Sequence, residues 1–332
     1  MRATWGRALV LAATASLGVF FSAPAQAEGC PLGYTQVGTQ KEETATAIIT
    51  HPVCLPDEDA KRCEGLRLGI EQMASASVRA SLALDVYSLY DQTGGWLAPW
   101  KAPPGYTLLS NDIRKDRQMF PGMSDLDIAG LIAPVGSSYR AAVYRHNKTR
   151  TIVLVFRGTT EQLADYTAAN IPNEFGMWTK YFANARDLGR TLNHWADRNG
   201  YELEIVGHSL GGGMATAAAL AAHVHTTEFN AEAFRSNHFE GGGADEDALA
   251  QKYVTNYVTS GEALTALQKT YFSAQGIGLV VGPALGHEVE LPDWPGSPAS
   301  PFERHEMWSV RLALHSHLET LKKDYADSGC VP

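Results

Sequence analysis

Residues Leu203 to Ala222 read LEIVGHSLGGGMATAAALAA, and the serine at their centre has surroundings suited to covalent chemistry. A serine hydroxyl is a poor nucleophile at neutral pH unless it is lifted out of the fold and set beside a base. Here an apolar, strand-like run leads into Gly207-His208-Ser209-Leu210-Gly211, and an Ala-rich helix former follows. A sharp turn between strand and helix perches the hydroxyl. Glycines at 207 and 211 remove the Cβ atoms that would collide in such a turn, and the new helix N-terminus aims its N–H groups at a developing oxyanion. Gly-x-Ser-x-Gly alone occurs by chance in many chains; the strand before it and the helix after it make the reading specific. Ser209 is the candidate nucleophile.

Such a serine needs a base, a carboxylate that fixes the base's tautomer, and donors for the tetrahedral oxyanion. Phe156-Arg157-Gly158-Thr159 closes the apolar strand that precedes the nucleophile strand. There Thr159 is placed to give one oxyanion donor, and Leu210, the residue after the serine, the other. Chain order in this architecture is nucleophile, acid, histidine. Glu262 follows the strand-like Tyr253–Thr259, past the end where an orienting carboxylate belongs, and is the candidate acid. Downstream of it stand His287, His305, His315 and His317. His305 opens a helical pattern (Met307, Val310, Leu314) after a Pro-rich loop and is the candidate base. His287 is held in reserve, while His315 and His317 lie deep in that helix and read as surface residues. The His208 side chain, next to the nucleophile, is expected to point elsewhere.

The elements around these residues alternate. Arg67–Tyr90 has a helical apolar face, and Ala98–Pro134, rich in Pro, Gly and Asp, reads as a surface excursion. Tyr139–Arg145 and Thr151–Phe156 read as two strands joined by a polar turn. The second, TIVLVF, is nearly all apolar, as a strand buried on both faces must be. Lys180–Arg198 follows as helix, Leu203–Val206 as strand, Ser209–Ala222 as helix, then Thr226–Phe229 and Tyr253–Thr259 as strands. This order predicts an α/β fold with a mainly parallel central sheet and helices on both faces.

The N-terminus carries Arg2 and Arg7, an apolar run from Ala8 to Phe21, and Ala25-Gln26-Ala27 as a small-residue cleavage site. We read 1–27 as an export leader, 28–66 as an extension tethered by disulfides, and 67–332 as the catalytic domain. The leader's apolar run is shorter than the roughly 20 residues a membrane span needs, and no later stretch reads as a transmembrane anchor. Removing the leader takes the net charge from −9 to −11, which argues against nucleic acid as a partner and leaves apolar contact as the route to a lipid surface. Cysteines at 30, 54, 63 and 330 predict two disulfides in an oxidising compartment, with three pairings open. They lack C-x-x-C spacing and no H-E-x-x-H cluster accompanies them, so no metal is expected. The acids of Gly241–Asp247 lack EF-hand spacing and read as a solvated loop.

Together these segments resemble the class 3 lipase branch of the α/β hydrolases, especially a bacterial lipase-like group. The likeness is carried by ASLALDVYSLY at 80–90, FRGTT at 156–160, Asp165–Asn170, VGHSLGGGMATAAAL at 206–220, TEFNAEAF at 227–234, NYVTSGEAL at 256–264 and RHEM at 304–307. The resemblance implies the α/β-hydrolase fold and a cofactor-free carboxylic ester hydrolase acting on acylglycerols, phospholipids or small esters. It implies Ser209, an acid and a histidine as triad, with Thr159 at the oxyanion hole. The family usually has aspartate where this chain has Glu262, so Asp245, Asp247 and Asp293 stand as alternative acids. For a lipid substrate, the aromatic run Ile171–Phe182, with Phe175, Met177 and Trp178, reads as an acyl-site wall or lid in transient contact with a lipid interface; aromatic clusters at such spacing also pack cores. An acyltransferase using the same triad, or a non-catalytic secreted effector on this fold, are the alternatives.

Overall fold

The computed structural model describes residues 34–43, 48–90, 102–109, 119–134, 137, 139–159, 180–234, 244–273 and 283–330. The chain divides into two compact units, one drawn from residues 1–72 and 318–332, the other from 73–317.

In the first unit, strands β1 (Tyr34–Glu43) and β2 (Ile48–Pro56) form an antiparallel hairpin. Helix α1 (Asp57–Ser88) begins directly after Pro56. The sequence reading opens this helix at Arg67, but it starts ten residues earlier. Asp57, Glu58 and Asp59 fill its first turn, where carboxylates offset the positive end of the helix dipole. Arg67 pairs with Glu64 and Glu71 on the solvent side. Cys63 is bonded to Cys330, Cys54 is disulfide-bonded as well, and no described cysteine is free.

The second unit is built on a seven-stranded sheet. Its strands are β3 (Tyr106–Leu108), β4 (Ala141–His146), β5 (Thr151–Phe156), β6 (Glu202–His208), β7 (Thr226–Phe229), β8 (Val254–Thr259) and β9 (His287–Leu291), in that spatial order. The β3–β4 and β4–β5 pairs are antiparallel, and the four pairs from β5 to β9 are parallel. Ile152 to Phe156 of β5 are buried without a break; each large apolar side chain buried there contributes roughly 1.5–3 kcal/mol of transfer free energy.

Between the strands lie α2 (Asp125–Ile132), α3 (Lys180–Asn199), α4 (Leu210–Ala222), α5 (Ala244–Tyr253) and α6 (Ala263–Ser273). A sequential strand order with one-handed crossovers sends successive helices to a single face. Accordingly Val143, Leu154, Phe156 and Ile205 share one core with Ile128 of α2, Leu188 of α3, Met214 of α4 and Ala250 of α5. The opposite face meets the second half of α1. Arg79 pairs with Glu204 of β6, and the Tyr144 hydroxyl of β4 donates to Asp85. The chain has the α/β-hydrolase architecture, with helices on both faces of a mainly parallel sheet.

The last elements are α7 (Pro301–His305) and α8 (Met307–Asp327). His305 therefore ends a short helix and precedes the long one. Strands β3 and β9 have no counterpart in the sequence reading: β3 is three residues long, and HEVEL in β9 is mostly exposed at the sheet edge.

Candidate active site

Ser209 stands between β6 and α4 with φ 58° and ψ −130°, a backbone state that costs a non-glycine residue about 1–3 kcal/mol and is held only by its surroundings. Those surroundings are backbone. The Ser209 N–H donates to the Phe229 carbonyl, and its own carbonyl accepts from Gly212, Gly213 and Glu232. The turn closes so tightly that a Cβ on Gly207 would sit 2.1 Å from the Gly211 carbonyl oxygen, and one on Gly211 would sit 2.4 Å from that of Phe156. No larger residue fits at either point.

The Ser209 Oγ lies 2.9 Å from His305 Nε2, and His305 Nδ1 lies 2.7 Å from Glu262 Oε2. A carboxylate at Nδ1 keeps the ring proton there, so Nε2 is the unprotonated nitrogen that faces the hydroxyl. Ser209, His305 and Glu262, separated by up to 96 positions, are thus brought into one line. The remaining candidates lie elsewhere. Asp293 is exposed and pairs with Arg304, Asp247 is exposed on α5, and His287 and His315 are exposed on β9 and α8. The Asp245 side chain falls outside the described residues.

The glutamate earns its position through its length. Glu262 precedes α6 and caps it, accepting from the Leu264 N–H at Oε2 (2.8 Å) and from the Thr265 N–H at Oε1. Its carboxylate reaches the helix start and the imidazole together. Burial alone would raise this carboxyl, since no part of the side chain is exposed, but the bonds to His305 and Thr265 outweigh it and hold the group below the usual glutamate range.

The strand end that carries the candidate oxyanion donors passes beside the serine. A Cβ on Gly158 would come within 3.0 Å of the Ser209 Cβ, 2.4 Å of the Tyr87 hydroxyl and 2.5 Å of the His208 carbonyl. The Gly158 N–H is taken up by Tyr87 (3.0 Å). Thr159 next to it is half-buried, and Leu210 is buried as the first residue of α4, where backbone N–H groups lack intrahelical acceptors. Gly158→Ala is expected to cost roughly 3 kcal/mol by overpacking against rigid backbone, seen as a lower urea midpoint at unchanged slope.

Phe175, Met177 and Trp178, read as a wall or lid, lie outside the described residues. Tyr181 and Phe182 from the same run are buried in α3, packed against Tyr139 and Phe234 with ring centroids 5.6 Å apart in both pairs. For these two the core reading holds.

The sequence reading misses two residues of the site. Asn230, fully buried at φ 43° after β7, donates to the Thr259 hydroxyl (2.8 Å) and to the His305 carbonyl (3.1 Å), and accepts from the Thr259 N–H (2.9 Å). Arg304 fixes the segment before His305, donating to the carbonyls of Pro298 and Ser260 at 2.7 Å each. Asparagine tolerates a left-handed backbone better than most residues, which is the one clue a reader of TEFNAEAF could have used. Among the described residues there is no cluster of three or more potential metal ligands and no helix long and apolar enough to cross a membrane.

No curated protein is similar to the chain in sequence. Among solved structures, a mutant form of MDLA from Penicillium cyclopium is 15% identical, the match covering 69% of this chain and 83% of that one at a TM-score of 0.40. A triacylglycerol lipase from Penicillium expansum is 13% identical over 67% and 80% of the two chains, at a TM-score of 0.40. The Rhizomucor miehei triacylglyceride lipase is 15% identical over 57% and 84%, at 0.33. In sequence, the family model described as a Tle-like phospholipase domain matches residues 78–289. That span takes in the FRGT turn, Ser209 and Glu262 and stops short of His305. With well over half of its length inside that match, the chain belongs to the Tle-like phospholipase family and is a lipid-ester hydrolase.

Proposed function

We propose that the chain is an exported hydrolase of phospholipase A or lipase type that works through an acyl-enzyme at Ser209. The observation that carries this reading is the continuous hydrogen-bonded line from Ser209 Oγ through both nitrogens of His305 to Glu262. In the first step His305 Nε2 takes the hydroxyl proton as Oγ attacks the ester carbonyl carbon. The carbonyl oxygen becomes an oxyanion held by the N–H groups of Leu210 and Thr159, and Glu262 stabilises the imidazolium. Collapse of the intermediate expels the alcohol, a glycerol or lysophospholipid oxygen, which leaves with the proton from Nε2. Water then attacks the acyl-enzyme, giving its proton to Nε2, and the same route releases the fatty acid and returns the proton to Ser209. No cofactor enters either half.

Export is supported by the leader-like residues 1–27, which lie outside the described residues, and by the Cys63–Cys330 bond, of a kind that persists in oxidising compartments.

The test is a fluorophosphonate probe followed by peptide mass mapping, run beside diacyl phospholipids, triacylglycerols and p-nitrophenyl esters. We expect one adduct per chain, on Ser209, and fatty acid release from at least one substrate class. No adduct at Ser209 together with no release from any class would overturn the proposal.

A further inference from the structure

The histidine next to the nucleophile is fully committed to a second line of hydrogen bonds. His208 Nε2 lies 2.8 Å from the backbone carbonyl of His305, and its Nδ1 lies 2.8 Å from the Tyr87 hydroxyl. A carbonyl only accepts, so the ring proton sits on Nε2. Nδ1 therefore accepts from Tyr87. Burial, with His305 beside it, holds the His208 pKa down to about 3, so the ring is neutral and carries that one proton. The Tyr87 oxygen in turn accepts the Gly158 N–H. Donors and acceptors thus run in one direction, from Gly158 through Tyr87 and His208 to the His305 carbonyl, and bonds so aligned polarise one another.

From this geometry we infer that Tyr87 and His208 are positioning residues, which hold the oxyanion strand end and the His305 backbone in fixed register around Ser209. The inference rests on the acyl-enzyme reading above. It assigns the pair no contact with substrate. The three parts of the site come from distant places in the chain: Gly158 ends β5, Ser209 follows β6, and His305 ends α7. The second line is what joins the first of these to the last, and α1 supplies the tyrosine. The His208 ring also lies against that of His305, with centroids 5.0 Å apart. A neutral neighbour there leaves the imidazolium formed during turnover unopposed; a charged one would not.

The experiment compares wild type with Tyr87→Phe, His208→Gln and His208→Leu, each counted by phosphonate titration of Ser209 so that kcat refers to active sites and not to protein. Phenylalanine keeps the ring and removes the hydroxyl that joins Gly158 to His208. Glutamine keeps a donor for the His305 carbonyl. We expect kcat per titrated site to fall about 10²-fold in Tyr87→Phe, the scale set by small misplacements of reacting groups, with KM within twofold of wild type. His208→Gln should retain more of kcat than His208→Leu. Wild-type kcat per titrated site in Tyr87→Phe, whatever its melting temperature, would reduce the pair to packing and overturn the inference. Failure of the wild type itself to react with the probe or to turn over any ester would instead remove the acyl-enzyme reading, so the two failures are distinguishable.

Discussion

Ser209→Ala is expected to lower kcat on any ester the wild type hydrolyses by about 10⁴–10⁶-fold, while leaving the fold in place. The magnitude follows from the proposed role of the hydroxyl: in that mechanism its loss prevents the acyl-enzyme, and what remains is the modest acceleration that oxyanion donors and binding give to direct attack by water. The fold should survive because the Ser209 side chain makes no capping bond to α4; what holds the turn is the backbone, through the Ser209 N–H and carbonyl. Alanine occupies the same left-handed backbone no worse than serine. A circular dichroism melt within a few degrees of wild type, beside loss of turnover and of phosphonate labelling, is the expected pair of results. Turnover above about one per cent of wild type would mean another nucleophile.

Glu262→Gln should be nearly as damaging, by about 10⁴-fold in kcat, although it preserves shape. Three donors converge on this side chain: His305 Nδ1 and the N–H groups of Leu264 and Thr265. A carboxylate has two oxygens to offer them. An amide has one, and its NH2 must face a donor or drive His305 into the tautomer whose Nε2 already carries a proton. Glu262→Asp shortens the reach and cannot cap α6 and touch the imidazole together, so it should lose about 10–10²-fold. The pH dependence has a definite sign. The folded carboxyl is held below its unfolded value, so the stability it contributes is fully present above the unfolded pKa and is lost as pH falls through the folded one. Glu262→Gln should therefore flatten the acid side of a plot of melting temperature against pH. An acid limb as steep as that of wild type would locate the titrating group elsewhere.

What the amino acids disclosed in advance depended on how local the signal was. β5, β6, the turn at Ser209 and α4 are written in contiguous residues: an unbroken apolar run, a glycine pair and an Ala-rich stretch. The order of serine, acid and histidine then narrowed the acid and the histidine to a few options each, and only in the folded chain does His305 come within hydrogen-bond distance of both Glu262 and Ser209. β3 and β9 were illegible because edge strands need bury little and so carry no apolar period. The early start of α1 was marked by Pro56 and three acids, yet the polar residues around it obscured the pattern. Glu262 as an α6 cap was invisible, because a glutamate at that place is rarer than the Ser, Thr, Asp or Asn that usually caps a helix. Tyr87 and Asn230 lie 121 and 75 positions from the histidines they hold, and no reading of neighbours reaches that far.

The bond between Cys63 and Cys330 spans 267 positions of sequence, and every strand of the seven-stranded sheet falls within the span. These strands are thus enclosed in one covalent ring. Closing so long a loop removes about 5.6 kcal/mol of unfolded-chain entropy in the chain-entropy model. It also means that a protease cutting once inside the ring opens it without detaching anything, so the severed halves stay at high mutual concentration and can fall back together. Damage of that kind becomes repairable by refolding alone.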